Sequence, residues 1–105
     1  MRARIILAGI AVLLPMPPAS AAPRTYTVEI AAMKFGPVPA GLHAGDRIFW
    51  TNKDMFRHTA TANDKSFEVD LPPGAKKSMV VTRPGTISVH CRYHPTMRTV
   101  LKVSA

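Results

Sequence analysis

From Thr25 onward, apolar residues recur at every second position in short runs, and the runs are separated by Gly, Pro, Asn and Asp. Thr25-Tyr26-Thr27-Val28-Glu29-Ile30 alternates in this way. So does Arg47-Ile48-Phe49-Trp50-Thr51, which puts Ile48 and Trp50 on one face. Gly85 to Cys91 places Ile87, Val89 and Cys91 on one side and Thr86, Ser88 and His90 on the other. Near the end, Thr99, Leu101 and Val103 alternate with Val100 and Lys102, and Lys77 to Thr82 is also strand-like. A period of two belongs to a strand with one face in a core, and no window carries the 3.6-residue stripe of a helix. Turn chemistry lies between the runs, at Gly36-Pro37, Ala44-Gly45-Asp46, Pro72-Pro73-Gly74 and Arg83-Pro84-Gly85. Several strands at short spacing predict an all-β sandwich or barrel.

The residues before Thr25 follow another pattern. Met1-Arg2-Ala3-Arg4 is a basic start, Ile5 to Leu14 is apolar throughout, and Ala19-Ser20-Ala21 closes the segment with small side chains. That layout predicts a secretory signal peptide over residues 1–21, with cleavage near Ala21/Ala22. The apolar run is half the roughly 20 residues that a membrane-spanning helix needs. Pro15, Pro17 and Pro18 would break its continuation. Removing 21 of the 105 residues leaves 84, enough for one domain (22–105) with a modest core, near the size where a metal helps. Loss of Arg2 and Arg4 reduces 14 basic residues to 12 against 6 acidic ones, a formal charge of +6. The positive charge suggests an anionic partner surface; nucleic acid is not expected, because an exported protein does not usually meet it and the basic residues are scattered. A single cysteine excludes a disulfide framework and four-thiolate metal sites. In an oxidising compartment it is inert, intermolecular or bound to something.

The stretch His90-Cys91-Arg92-Tyr93-His94-Pro95-Thr96-Met97 supplies the third possibility. It offers a thiolate, an imidazole and a thioether spaced by three and three, with Cys91 at the end of one strand and Met97 at the start of the next. A tight loop of this kind can converge on one ion. His58, 33 residues before Cys91, supplies a second imidazole from a different loop. Two imidazoles and a thiolate, with a weak axial thioether, form the ligand set of a type 1 copper centre. Sulfur favours Cu(I) and imidazole serves Cu(II), so a rigid mixed site moves little when an electron arrives or leaves.

These residues resemble the cupredoxin (type 1 blue copper) family, and within it the amicyanin branch. Val28 to Phe35 resembles that branch's strand with Met-Lys-aromatic, and Gly45 to Asn52 its Gly-Asp…Trp-x-Asn strand. Gly85-Thr86 with His90-Cys91-x-x-His94-Pro95-x-Met97-Arg98 resembles its last hairpin, including the family's shortest ligand loop. The resemblance covers about Thr25 to Val103. It implies a Greek-key β-sandwich with His58, Cys91, His94 and Met97 holding one type 1 copper. It also implies an exported, periplasmic electron carrier that is monomeric and not itself an enzyme, and that is not inserted in a membrane once the signal is removed. Its partners would be redox proteins, a donor dehydrogenase and an acceptor cytochrome or oxidase. His94 would be the electron port, with its ring edge in an apolar surface patch. The sequence departs from the family at Arg57 and Tyr93, where proline is usual, and at Thr59, where an asparagine braces the ligand loop.

Two other readings of the same residues are a copper-binding module for delivery or resistance, and a structural domain holding zinc on Cys91 and two histidines. His90, on the opposite face from Cys91, is expected to point outward, and His43 to lie on a surface strand. Met33, Met55 and Met79 are too dispersed for a methionine-rich Cu(I) shuttle. Trp50 is expected in the core, and the Lys76-Lys77 pair on a solvated face.

Overall fold

The computed structural model describes residues 2–4, 8–15 and 22–105. Met1, residues 5–7 and residues 16–21 lie outside the described residues, so the start of the apolar run and the small-residue exit of the leader pattern are not among them. Residues 8–15 have no regular structure, and Ile10, Val12, Leu13 and Leu14 are exposed rather than packed on the domain. Among the described residues no helix is long and apolar enough to cross a membrane.

The rest is built of strands: β1 (Thr25–Ala31), β2 (Lys34–Phe35), β3 (Leu42–His43), β4 (Arg47–Asn52), β5 (His58–Ala62), β6 (Glu68–Leu71), β7 (Lys76–Val80), β8 (Gly85–His90) and β9 (Arg98–Ser104). They form two sheets, β2-β1-β4-β7 and β3-β9-β8-β5-β6. β1 runs parallel to β4, and β3 parallel to β9, so the chain crosses between sheets in the manner of a Greek-key sandwich. The alternation does the packing. Val28 and Ile30 of β1, Ile48 and Trp50 of β4, and Leu101 and Val103 of β9 all point into the shared core. Each fully buried aliphatic side chain of this kind contributes about 1.5–3 kcal/mol. Trp50 is fully buried with its ring edge-on to Phe35, 5.9 Å between centroids.

The structure corrects the sequence reading in three places. Val28 to Phe35 is not one strand. β1 and β2 form a hairpin, with Ala31 paired to Lys34 and both intervening residues at positive φ, Ala32 at 51° and Met33 at 60°. Two successive positive φ values define the type I′ turn, whose twist matches that of the flanking strands. Second, Met97 closes the ligand loop, and the last strand starts one residue later at Arg98. Third, β5 and β6 are strands that the alternation of the sequence does not reveal. His58 is the first residue of β5 rather than a loop residue.

Candidate metal centre

The site begins with Asn52, the buried last residue of β4. Its side-chain amide donates to the carbonyls of Phe56 (2.7 Å) and Leu71 (2.9 Å), and its side-chain oxygen accepts from the Asp54 N–H (2.9 Å). These bonds curl residues 52–57 back so that His58 enters β5 completely buried. Asp54 then serves two structures. Its Oδ1 accepts from the Ala32 N–H (2.7 Å) and its Oδ2 from the Met33 N–H (2.9 Å), which pins the strained type I′ turn. Oδ2 also lies 2.8 Å from His58 Nε2. Chiefly the Met33 N–H, and then the His58 ring, hold the Asp54 carboxyl below the usual carboxylate range against the opposing effect of burial. An ionised carboxylate only accepts, so Nε2 carries the ring proton and Nδ1 presents a bare lone pair.

That lone pair faces the ligand loop. His58 Nδ1 is 3.2 Å from His94 Nδ1 and 3.7 Å from Cys91 Sγ, and His94 Nδ1 is 3.5 Å from the same sulfur. The centre of the circle through these three atoms lies about 2 Å from each, within the range of about 2.0–2.3 Å that metal–nitrogen and metal–sulfur bonds span. Three donors of this chemistry at this spacing fit a single ion. Cys91 is fully buried, and its sulfur accepts the Thr59 N–H at 3.4 Å, a bond that suits a thiolate.

The loop carrying Cys91, His94 and Met97 is closed by its own backbone. The Cys91 N–H donates to the Met97 carbonyl (3.1 Å), and the Met97 N–H to the His94 carbonyl (2.9 Å). Met97 is buried in the same core cluster as Cys91. The Thr59 hydroxyl accepts the Arg92 N–H at 2.8 Å, so threonine ties the first histidine's strand to the ligand loop from the position where asparagine is usual. His94 is only partly buried, and Tyr93, Pro95, Met55 and Phe56 are exposed, Met55 to 88%.

Of the four sequence-derived ligand candidates, His58, Cys91 and His94 bring their donor atoms together, and Met97 is buried and closes the loop through its backbone. His90 stays outside the triangle, with its Nδ1 2.5 Å from Asn63 Oδ1, and His43 lies exposed on β3. Sequence reasoning missed Asp54. An acidic residue four positions before a candidate ligand was the available signal, but only the fold shows that it also reaches the β1–β2 turn.

The family profile of the cupredoxin-like domain matches residues 4–103, and the chain belongs to that family. Solved structures that it resembles include amicyanins. A Cu(I) form of one amicyanin mutant shares 26% identity at a TM-score of 0.68, over 82% of this chain and 88% of that one. A reduced Cu(I) form of another, at pH 4, shares 27% at a TM-score of 0.62, over 76% and 82%. The amicyanin of Paracoccus versutus (Thiobacillus versutus) shares 21%, with a TM-score of 0.65 over 76% and 81%, a likeness of fold alone. No curated protein matches the chain. The fold, the relatives and the donor set fit one type 1 copper and an electron-transfer copper protein.

Proposed function

We propose that this protein is an exported, periplasmic carrier of single electrons between redox proteins, with His58, Cys91, His94 and Met97 holding one copper. The single observation that carries the reading is the triangle of two imidazole nitrogens and one thiolate sulfur. Copper bound there supplies one-electron chemistry. The chain's own residues do the rest. Asp54 holds the His58 ring in one tautomer, the Thr59 N–H stabilises the thiolate, and the buried side of the site excludes water. His94 reaches the surface beside its exposed neighbours Tyr93 and Pro95, where a donor dehydrogenase or an acceptor cytochrome or oxidase would dock through a small, transient interface. On this reading, which the family membership supports, the protein is a monomeric carrier rather than an enzyme. The basic start, the unpacked apolar residues of 8–15 and the small residues before Ala22 support removal of residues 1–21 on export.

The test is the visible spectrum of the copper-loaded, oxidised protein. A thiolate bound to Cu(II) gives an intense charge-transfer band, and Cys91→Ser should abolish it. A colourless oxidised wild type, or a band that survives Cys91→Ser, would overturn the assignment. Zinc held in preference, or copper surrendered to a partner during redox cycling, would point to the structural or delivery readings.

A further inference from the structure

The two positions where proline is usual in the family, Arg57 and Tyr93, touch each other in this chain. The Arg57 guanidinium carbon lies 5.8 Å from the centroid of the Tyr93 ring. The same guanidinium is gripped from the other side. Its Nε donates to Asp70 Oδ1 at 2.8 Å, and its terminal nitrogen donates to the second carboxylate oxygen. Asp70 sits on β6 directly opposite Thr59 of β5, so the carboxylate is fixed by strand register. A bidentate fork holds the guanidinium plane in one orientation and leaves a face free for an aromatic ring. The result is an unbroken line of contacts from β6 through Asp70 and Arg57 to Tyr93, the neighbour of His94.

We propose that Arg57, oriented by Asp70, is a positioning residue that fastens the ligand loop through the Tyr93 ring and so limits the movement of His94. A proline stiffens a loop covalently, by fixing φ near −65°. Here two loops that would each be stiffened separately are tied to one another, next to the Thr59 hydroxyl that already holds the Arg92 N–H. Arg57 and Asp70 are exposed, with side-chain accessibilities of 55% and 40%, so water screens the pair and it adds little to global stability. Its effect falls on the loop. The consequence for copper rests on the metal-centre reading above, but the tie itself does not.

Four variants test this: Arg57→Gln, Tyr93→Leu, Tyr93→Phe and the double variant Arg57→Gln/Tyr93→Leu. In the metal-free protein, backbone NMR relaxation and amide exchange at residues 92–96 report loop freedom without reference to copper. In the copper-loaded protein, the rate of metal loss to a chelator and the reduction potential report the site. Arg57→Gln and Tyr93→Leu should each loosen the loop and speed metal loss by about 2–5-fold, the range of an exposed cation–π contact. Tyr93→Phe should behave as wild type because the ring face remains. The double variant should be no faster than the more affected single one, and thermal midpoints should hardly move. Unchanged loop dynamics in Tyr93→Leu, loss of the effect only through global destabilisation, or effects that multiply in the double variant would each overturn the proposal. A loosened metal-free loop in a protein that forms no coloured copper centre would uphold the tie and sink the metal reading instead.

Discussion

His58 and His94 present the same atom to the same point, yet they are held by different means. His58 is fully buried, opens a strand inside a sheet, and has its far nitrogen fixed by a carboxylate that also pins a turn of the other sheet. His94 is partly exposed on a loop closed by two of its own backbone bonds. One ligand is thus a property of the whole sandwich, and the other a property of a short loop between β8 and β9. Damage to the first should cost binding and folding together. Damage to the second should change the chemistry of the site while leaving the fold alone.

The strongest way to break this contrast is Asp54→Ala. The substitution frees the His58 ring and leaves the Ala32 and Met33 N–H groups without their acceptor in a conformation that non-glycine residues resist. Loss of a carboxylate behind a ligating histidine costs about 10–100-fold in metal affinity. Unpairing the turn should lower stability by about 1–3 kcal/mol. Competition titration and denaturant unfolding measure the two, and both should change. Affinity that survives while stability falls would mean that the His58 ring is fixed by packing alone.

On the loop side, Met97→Gln keeps the length of the side chain but buries an amide in the core cluster, which should cost the metal-free fold about 1–3 kcal/mol. It should lower the reduction potential, since an amide oxygen is a harder donor than a thioether and favours Cu(II). Voltammetry of the two proteins decides this. An unchanged potential would remove Met97 from the ligand set and leave it as core packing.

This division also explains what the sequence disclosed. The ligand loop was legible because its donors are close in sequence and their spacing is itself the geometry. The β1, β4, β8 and β9 strands were legible because one face of each is buried and the other is not. β5 was not, because His58-Thr59-Ala60-Thr61-Ala62 is buried on nearly every residue and made of residues that do not alternate in hydropathy. The turn at Ala32–Met33 was hidden for a different reason. Neither residue is a turn former, and the conformation is imposed from outside by Asp54, a contact made across 21 positions of sequence. Local rules could not have found it.

A control at the far end of β4 sharpens the comparison. Asp46 is buried and accepts the N–H groups of Arg24 and His43, both at 2.8 Å. The Arg24 N–H, and after it the His43 N–H, hold its carboxyl below the ordinary 3.8. A depressed folded value means that its stabilisation is complete above 3.8 and is lost as pH falls through the lower folded value. Asp46→Asn should therefore be less stable than wild type at neutral pH and should show a shallower loss on acidification. Unfolding of the metal-free proteins between pH 7 and pH 2 tests the sign. Copper affinity should not change, because nothing in the site touches Asp46; an affinity loss like that of Asp54→Ala would erase the distinction between the two ends.

The smallest effect concerns how the exposed half of the site meets a partner. After removal of residues 1–21 the formal charge is +6, with 12 basic against 6 acidic residues, so an acidic redox partner should be drawn in by long-range attraction. That attraction is muted near the site. Arg57 is already paired with Asp70, and Arg92 lies 3.7 Å from Glu68. Arg98 instead donates to the Pro95 carbonyl, which leaves its charge unopposed by a carboxylate among the described residues. Screening shortens from about 30 Å at 0.01 M salt to about 8 Å at 0.15 M, so the bimolecular electron-transfer rate should fall over that range, by less than about tenfold. Arg98→Gln and Arg57→Gln each remove one positive charge, the first from an unpaired cation and the second by releasing Asp70, so each should flatten this dependence by a similar amount. Stopped-flow rates against salt, with a partner of known acidic surface, decide the matter. A rate that rises with salt would mean that the contact near His94 is governed by its apolar side chains, and that the protein's positive charge acts elsewhere.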